Sequence, residues 1–217
     1  MPLAQEAYRR IISMIFEGVL IPGDPLREAT LGQAFGMSRT PVREAIKRLE
    51  SEGLARVQGR FTRVRGLSAR DMEEIFFLRL ELEPLTARSA IRLPGAALDA
   101  MEARVRALMA SDPGVNDRQR QTDYDFHHLL GQEHGNPAIA ATIAALHRRT
   151  CVFDHTQVPD RFLKGCEEHL EILDAARTGR ADRVEALVRR HLENARDAVL
   201  RRLEAAPLDG RGPEGAP

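Results

Sequence analysis

Tryptophan is absent from this chain, tyrosine occurs twice and cysteine twice, and Lys47 and Lys164 are its only lysines. Cys151 and Cys166 form no CxxC pair and read as inert core thiols rather than a disulfide. No stretch approaches the ~20 apolar residues of a membrane span. The first run, "MPLAQEAYRRIISMIFEGVL", is interrupted by Glu6, Arg9, Arg10 and Glu17, which breaks a signal-peptide core. The expected location is therefore cytoplasmic. Neither a low-complexity block nor an internal repeat is present, and the net charge is zero.

What is present is 217 residues, 43% of them hydrophobic, enough for two modest folded domains. Long amphipathic segments rich in Ala, Leu, Arg and Glu make the chain mainly α. The neutral total hides an asymmetry. Residues 1–66 hold 11 Arg and Lys against 7 Asp and Glu, whereas the remainder holds 21 against 25. A basic first domain points to an anionic partner.

Periodicity gives an amphipathic helix over 3–19, with Ile11, Ile12, Met14, Ile15 and Val19 on one side. A turn cluster, "IPGDP", follows at 21–25. A short helix at 28–35 stops at Gly36. Ser38 or Thr40 can cap the next helix, Pro41 lies in its first turn, and Gly53 ends it. Its apolar stripe is Val42, Ala45, Ile46 and Leu49. "LARVQGRFTRVRG" alternates around a glycine and reads as a two-stranded ribbon. "GLS" at 66–68 sets the boundary between a domain at 1–66 and a second at 67–206. Ser68 and Asp71 start a new run of helices, expected at 69–92, 95–110, 115–134, 137–156, 159–178 and 181–204. The Pro/Gly-rich end, 207–217, reads as a disordered tail.

Three helices and a ribbon are the layout of a winged helix-turn-helix, whose second turn helix enters the major groove of DNA. Here that helix is "SRTPVREAIKR". Arg39, Arg43 and Lys47 recur every four residues and line one face. Ser38 and Thr40 stand at the helix N-terminus, where phosphate is favoured. Arg39 or Arg43 can read guanine O6 and N7. Arg56, Arg60, Arg63 and Arg65 place charge on the wing. The competing reading is a solvated basic helix on an ordinary helical domain. "FGMSRTPVREAIKRLESEGLARV" resembles the signature of the GntR family of bacterial transcription regulators. The resemblance implies operator contacts by Arg39, Thr40 and Arg43. Two departures stand out: Ala29 follows Glu28 where many relatives carry a basic residue, and Gly59 precedes Arg60 in the wing tip.

"TDYDFHHLLGQEHG", 122–135, crowds two aspartates, a glutamate and three histidines into fourteen positions. On a helical wheel with Asp123 at zero, His127 falls at about 40°, Asp125 at about 200° and His128 at about 140°. The apolar Phe126, Leu129 and Leu130 span about 240° to 340°. Asp123 and His127 thus border the buried face, and Asp125, His128 and Gln132 face solvent. His134 shares the His127 side but lies about 10 Å further along, beside the helix stop "GNP". His169 and His191 each sit amid an apolar face. Their mean position, residue 180, falls inside "RTGRA", so an antiparallel hairpin places them at one height, each about 15 Å from the turn. Asp123, His127, His169 and His191 suit a divalent transition metal such as zinc, nickel or manganese. Alternatively, each histidine is a separately satisfied core residue.

Residues 69–204 also resemble the all-helical effector-binding (FCD) domain of the FadR-type subgroup, through "RLELEPLTARSA", "DYDFHHLLGQEHGNP", "EEHLEILDAARTG" and "VRRHLENA". In metal-containing members the matching positions are ligands, which here are Asp123, His127, His169 and His191. Arg79 matches an arginine often near the effector pocket; its other reading is a salt bridge to Glu83. The leading expectation is a ligand-responsive, homodimeric transcription regulator rather than an enzyme. It would take a small carboxylate at an open metal position, with Arg79, Arg149 and Asn194 assisting. The rivals are a helical metal-dependent hydrolase, which would need a further inward carboxylate as base, and a DNA-binding protein whose metal is only structural.

Overall fold

The computed structural model describes residues 2–16, 18–110, 117–157 and 161–205, with backbone alone at 16, 117 and 151–157. The expected tail at 207–217, the Cys151 thiol and the first residues of the helices expected from 115 and 159 lie outside the described residues. The chain divides into two compact units, the second spanning Ala69–Ala205.

In the first unit, α1 (Leu3–Phe16), α2 (Glu28–Phe35) and α3 (Arg39–Ser51) precede a ribbon of β1 (Ala55–Gln58) and β2 (Phe61–Val64). Helix α1 packs on α3. Its core is Ala7, Ile11, Leu31, Val42, Ala45, Ile46 and Leu49, all buried. The strands are antiparallel, pairing Ala55 with Val64 and Gln58 with Phe61. That leaves a two-residue turn at Gly59 and Arg60. Only Gly59 has positive φ, +64°, which is the glycine-first pattern of a tight hairpin. Helix α1 ends earlier than the periodicity implies. Gly18 turns at φ +70°, its N–H bonds to Ile15, and Leu20 bonds back to Met14. Val19 is consequently 59% exposed instead of buried with Ile11. Ser38 occupies the N-cap position of α3, yet its side chain makes no capping bond there.

The second unit contains α4 (Ala69–Ala87), α5 (Gly95–Met109), α6 (Asp117–Gly131), α7 (Pro137–Gln157), α8 (Arg161–Arg177) and α9 (Ala181–Ala205). Helix α4 is central: it packs on α6, α7 and α9. Enclosure on several sides explains why its buried residues include the charged Arg79 and Glu83 alongside Met72, Ile75, Phe76 and Leu80. The α pattern of α4 stops at Ala87, and Arg88–Arg92 continue as a 3₁₀ turn. Thr86 and Ser89 bond their hydroxyls to the carbonyls of Glu83 and Thr86, competing with regular helix bonds. Helix α6 likewise gives way to a 3₁₀ turn at Gln132–His134, closed by Gly135 at φ +78°. Helices α8 and α9 form a hairpin around Gly179, φ +71°.

Candidate functional site

The rotation of α6 is set by Phe126 and Leu130, 0% and 2% exposed. With those two inside, His127 is buried and Asp123 half-buried, whereas His128 is exposed. Asp125 meets Arg104 at 2.7 Å and Gln121 at 2.7 Å on the outer side. His128 stacks on Tyr124. His134 stands apart from the cluster in the 3₁₀ turn, and its Nδ1 is buried without a hydrogen-bond partner among the described residues.

His169 on α8 and His191 on α9 approach Nε2 to Nε2 at 3.4 Å. Asp123 Oδ1 lies 3.6 Å from His169 Nε2 and 4.0 Å from His127 Nε2. The donor atoms of His127, His169 and His191 lie within 4.8 Å of one another. Four side chains from three helices therefore meet. A fifth joins them: His147 of α7 puts Nε2 2.9 Å from Asp123 Oδ2, and with Asp123 and His127 it makes a second close triad.

Outer carboxylates fix which nitrogens are bare. Glu83 Oε2 lies 2.7 Å from His127 Nδ1, and Glu168 Oε2 lies 2.7 Å from His191 Nδ1. Burial raises both carboxyls, but the cations and imidazoles around them prevail. Arg79 and His127 hold Glu83 below the usual carboxylate range. His191, Arg161 and Asn194 hold Glu168 at about 2. An ionised carboxylate only accepts, so each Nδ1 must carry a proton, and in the neutral imidazole that holds a metal each Nε2 then presents a lone pair. Burial also lowers His169, His191 and His147, the last to about 4, against the pull of nearby carboxylates. Two bare nitrogens and a carboxylate converging on one point lack a positive charge at their centre. Neutral imidazoles with one carboxylate are the donor set a divalent transition ion takes. The residues fit such an ion.

Beside the cluster lies a cavity of about 40 Å³, lined by Asp123, His127, His169 and His191 together with Arg79 and Arg161. Arg79 is 3% exposed; it bonds Glu83 at 2.5 Å and Thr150 at 2.7 Å while lining the cavity. The salt bridge to Glu83 that its second reading expected is therefore present. Arg149 is half-buried on α7 and Asn194 exposed on α9, and neither lines the cavity. Asn194 bonds Glu168 at 2.7 Å. Cys166 lines the cavity as a thiol, pushed by burial up to about 11.

Sequence reasoning passes over His147, Arg161 and Glu168. His147 is within its reach, because Ile143, Leu146 and Thr150 around it on α7 are all buried, the criterion that singles out His169 and His191. Glu168 is not, since its role depends on a neighbour on the facing helix.

In the first unit, Ser38, Arg39, Thr40, Arg43, Lys47 and Arg60 are all exposed. Arg43 does not extend freely: its Nε and Nη2 bond both oxygens of Glu28, at 2.7 and 2.8 Å. Arg63, expected among the wing charges, bonds the Gly23 carbonyl at 2.7 Å.

Comparison with known proteins bears on both units. Residues 3–64 match the family model described as bacterial regulatory proteins, gntR family, and residues 74–194 match that of the FCD domain. The chain is 28% identical over 206 residues to the HTH-type transcriptional repressor RspR of Escherichia coli, covering 91% of this chain and 89% of that one. It is 37% identical over 92 residues to the uncharacterized HTH-type transcriptional regulator YdhC of Bacillus subtilis, covering 42% of this chain and 41% of that one. Among solved structures it is similar to E. coli McbR/YncC, with a TM-score of 0.77, 21% identity and coverage of 94% and 99%.

Proposed function

The chain belongs to the gntR family of bacterial regulatory proteins and carries an FCD domain, and from that premise we propose that it is a FadR-type regulator that binds operator DNA as a homodimer and senses a small carboxylate at a divalent metal ion. The family is one of transcription regulators, and the hydrolase alternative falls with that membership. No helix among the described residues is long and apolar enough to cross a membrane, in keeping with a cytoplasmic regulator.

The observation that carries the sensing half is the buried cluster that opens onto a cavity. Asp123, His127, His169 and His191 would hold the ion, and Glu83, Glu168 and His147 would orient them. When bound, the ion supplies a Lewis-acidic position for a ligand oxygen. Arg79 adds positive charge from the cavity wall. Asn194 acts from outside it by holding Glu168, and Arg149 from α7. A ligand seated here would change DNA affinity only as far as it binds the two arrangements of the dimer unequally.

The DNA half rests on Arg39, Thr40, Arg43 and Lys47, exposed on one helix whose other face is buried, with Ser38 at its start and Arg60 on the wing. Two copies are needed because a single recognition helix spans few base pairs and two-fold dimers read paired half-sites. The test is a duplex selected by the wild-type protein from a randomised pool. Arg39→Ala and Arg43→Ala should each weaken binding to it about ten- to a hundredfold in anisotropy titrations, with the circular dichroism melt unchanged. Unaltered affinity would remove these residues from the interface. A monomer by light scattering on that duplex would remove the dimer.

A further inference from the structure

The cavity wall holds a guanidinium whose donors are mostly unspent. Arg161 begins α8, and its side chain is only 10% exposed. Its Nη2 donates to Glu168 and, at 3.3 Å, to the carbonyl of His191. Its Nε and Nη1 are buried and have no hydrogen-bond partner among the described residues. Those two atoms carry three N–H bonds. Buried polar groups are almost always paired, and buried charges more so. The residue one turn on is Gly165, where an added Cβ would stand 3.8 Å from Nη1. Gly165 thus sets no side chain against the open donors, and both residues line the cavity.

Glu168 ties this cation to the histidine cluster. One of its oxygens takes both Arg161 Nη2 and His191 Nδ1, and the other takes Asn194. Arg161 therefore lies against His191 and faces the same cavity, held by a carboxylate it does not exhaust. Arg79 differs: its Nε and Nη1 are committed to Glu83 and Thr150.

Resting on the effector reading above, we infer that Arg161 receives the carboxylate of the effector, and that the effector is a small monocarboxylate with a neutral second oxygen, such as a 2-hydroxy acid. The single charge follows from the groups around the cavity. Among the described residues, Arg79 is balanced by Glu83 and Arg161 by Glu168, which leaves Asp123 as one net negative charge. The imidazoles are neutral when they hold an ion, and Cys166 is a thiol. A divalent ion turns the balance to one positive charge, and a single carboxylate closes it. A second carboxylate would leave an uncompensated charge in a buried site, which is disfavoured. The neutral oxygen gives the ligand a second point of contact, on the cluster side.

The experiment uses the full chain loaded with zinc, with zinc content measured for every variant and affinity read by calorimetry and melting temperature. The probes are glycolate and lactate, the neutral glycolamide, and the dicarboxylate tartronate. Glycolate or lactate should raise the melting temperature in a saturable way, while glycolamide and tartronate bind at least tenfold more weakly. Arg161→Gln should keep its zinc and lose at least tenfold in affinity for the hydroxy acid, and Arg161→Lys should recover part of it. Wild-type affinity in zinc-loaded Arg161→Gln would overturn the role of Arg161 and leave the effector reading standing. Tighter binding of tartronate would overturn the charge argument. Loss of zinc from both Arg161 variants would make Arg161 a support of the metal ligands and overturn the inference. Silence of the wild-type protein toward every acid would fell the effector reading, and this inference with it.

Discussion

Asp123 and Asp125 differ by one residue between them and by everything in their surroundings. Asp123 turns its oxygens to His169 and His147, and Asp125 turns its own to Arg104 and Gln121 at the surface. The same split separates buried His127 from exposed His128. On mutation the two sets should part company. Asp123→Ala, His127→Ala, His169→Ala and His191→Ala should each lower bound metal sharply, the last two also destabilising the fold by opening a polar gap among apolar residues. Asp125→Ala and His128→Ala should keep the metal and shift stability within about half a kcal/mol. His134→Ala belongs with these. Metal analysis of the seven purified proteins decides it; an essential His128 beside a dispensable His127 would contradict the rotation of α6. This division is legible in the amino-acid sequence, because Phe126, Leu129 and Leu130 define the inward side of a 3.6-residue repeat. The outer partners are less so. Glu83 reads in sequence only as a partner for Arg79 and Glu168 as an ordinary solvated acid, and only the helix facing each one gives it a histidine.

At the scale of the elements, the apolar repeats place the helices well, and backbone chemistry moves their ends. Gly18 closes α1 early, and the Thr86 and Ser89 hydroxyls take carbonyls where the end of α4 gives way to a 3₁₀ turn. Capping is the weaker guide: Ser38 stands where a cap belongs and makes no capping bond. Two glycines at helix positions show how far local context decides. A Cβ on Gly32 would stand 2.9 Å from the backbone carbonyl oxygen of Met37, which closes the turn between α2 and α3 and cannot retreat as a side chain would. A Cβ on Gly95, at the start of α5, meets nothing within 4 Å. Gly32→Ala should therefore destabilise the first unit by about 1–3 kcal/mol. Gly95→Ala should leave the second unit as stable or raise it by about 0.4–1 kcal/mol, through a less flexible unfolded chain. Urea denaturation of each variant reads both, and equal effects would refute the contrast.

Across the whole molecule, all seven histidines lie beyond residue 120, so the first unit has none. Acid should therefore find the two units differently prepared. In the metal-free protein, burial keeps His147, His169 and His191 below their ordinary value of 6.5, His147 at about 4. An unfolded chain takes up those protons near 6.5, and the folded unit resists them to lower pH. Between 6.5 and about 4 the unfolded state thus binds more protons, so stability rises with pH there. The contribution is fully present above 6.5 and drains away as the pH falls toward 4, each resisting histidine giving a slope of up to about 1.4 kcal/mol per pH unit. Glu168, lowered from 4.5 to about 2, extends the loss below pH 4.5. The first unit has no such group to protonate in the upper window. After chelation, melting of the full chain at pH 7, 6, 5 and 4.5 should show one transition falling steeply and another nearly level. Zinc should lift the falling transition at pH 7, since an ion bound only by the folded unit adds its binding free energy to stability. That gain should shrink toward pH 4.5 as protons compete for the same nitrogens. Parallel decline of both transitions, or a zinc effect indifferent to pH, would mean that the buried imidazoles are not what acid attacks.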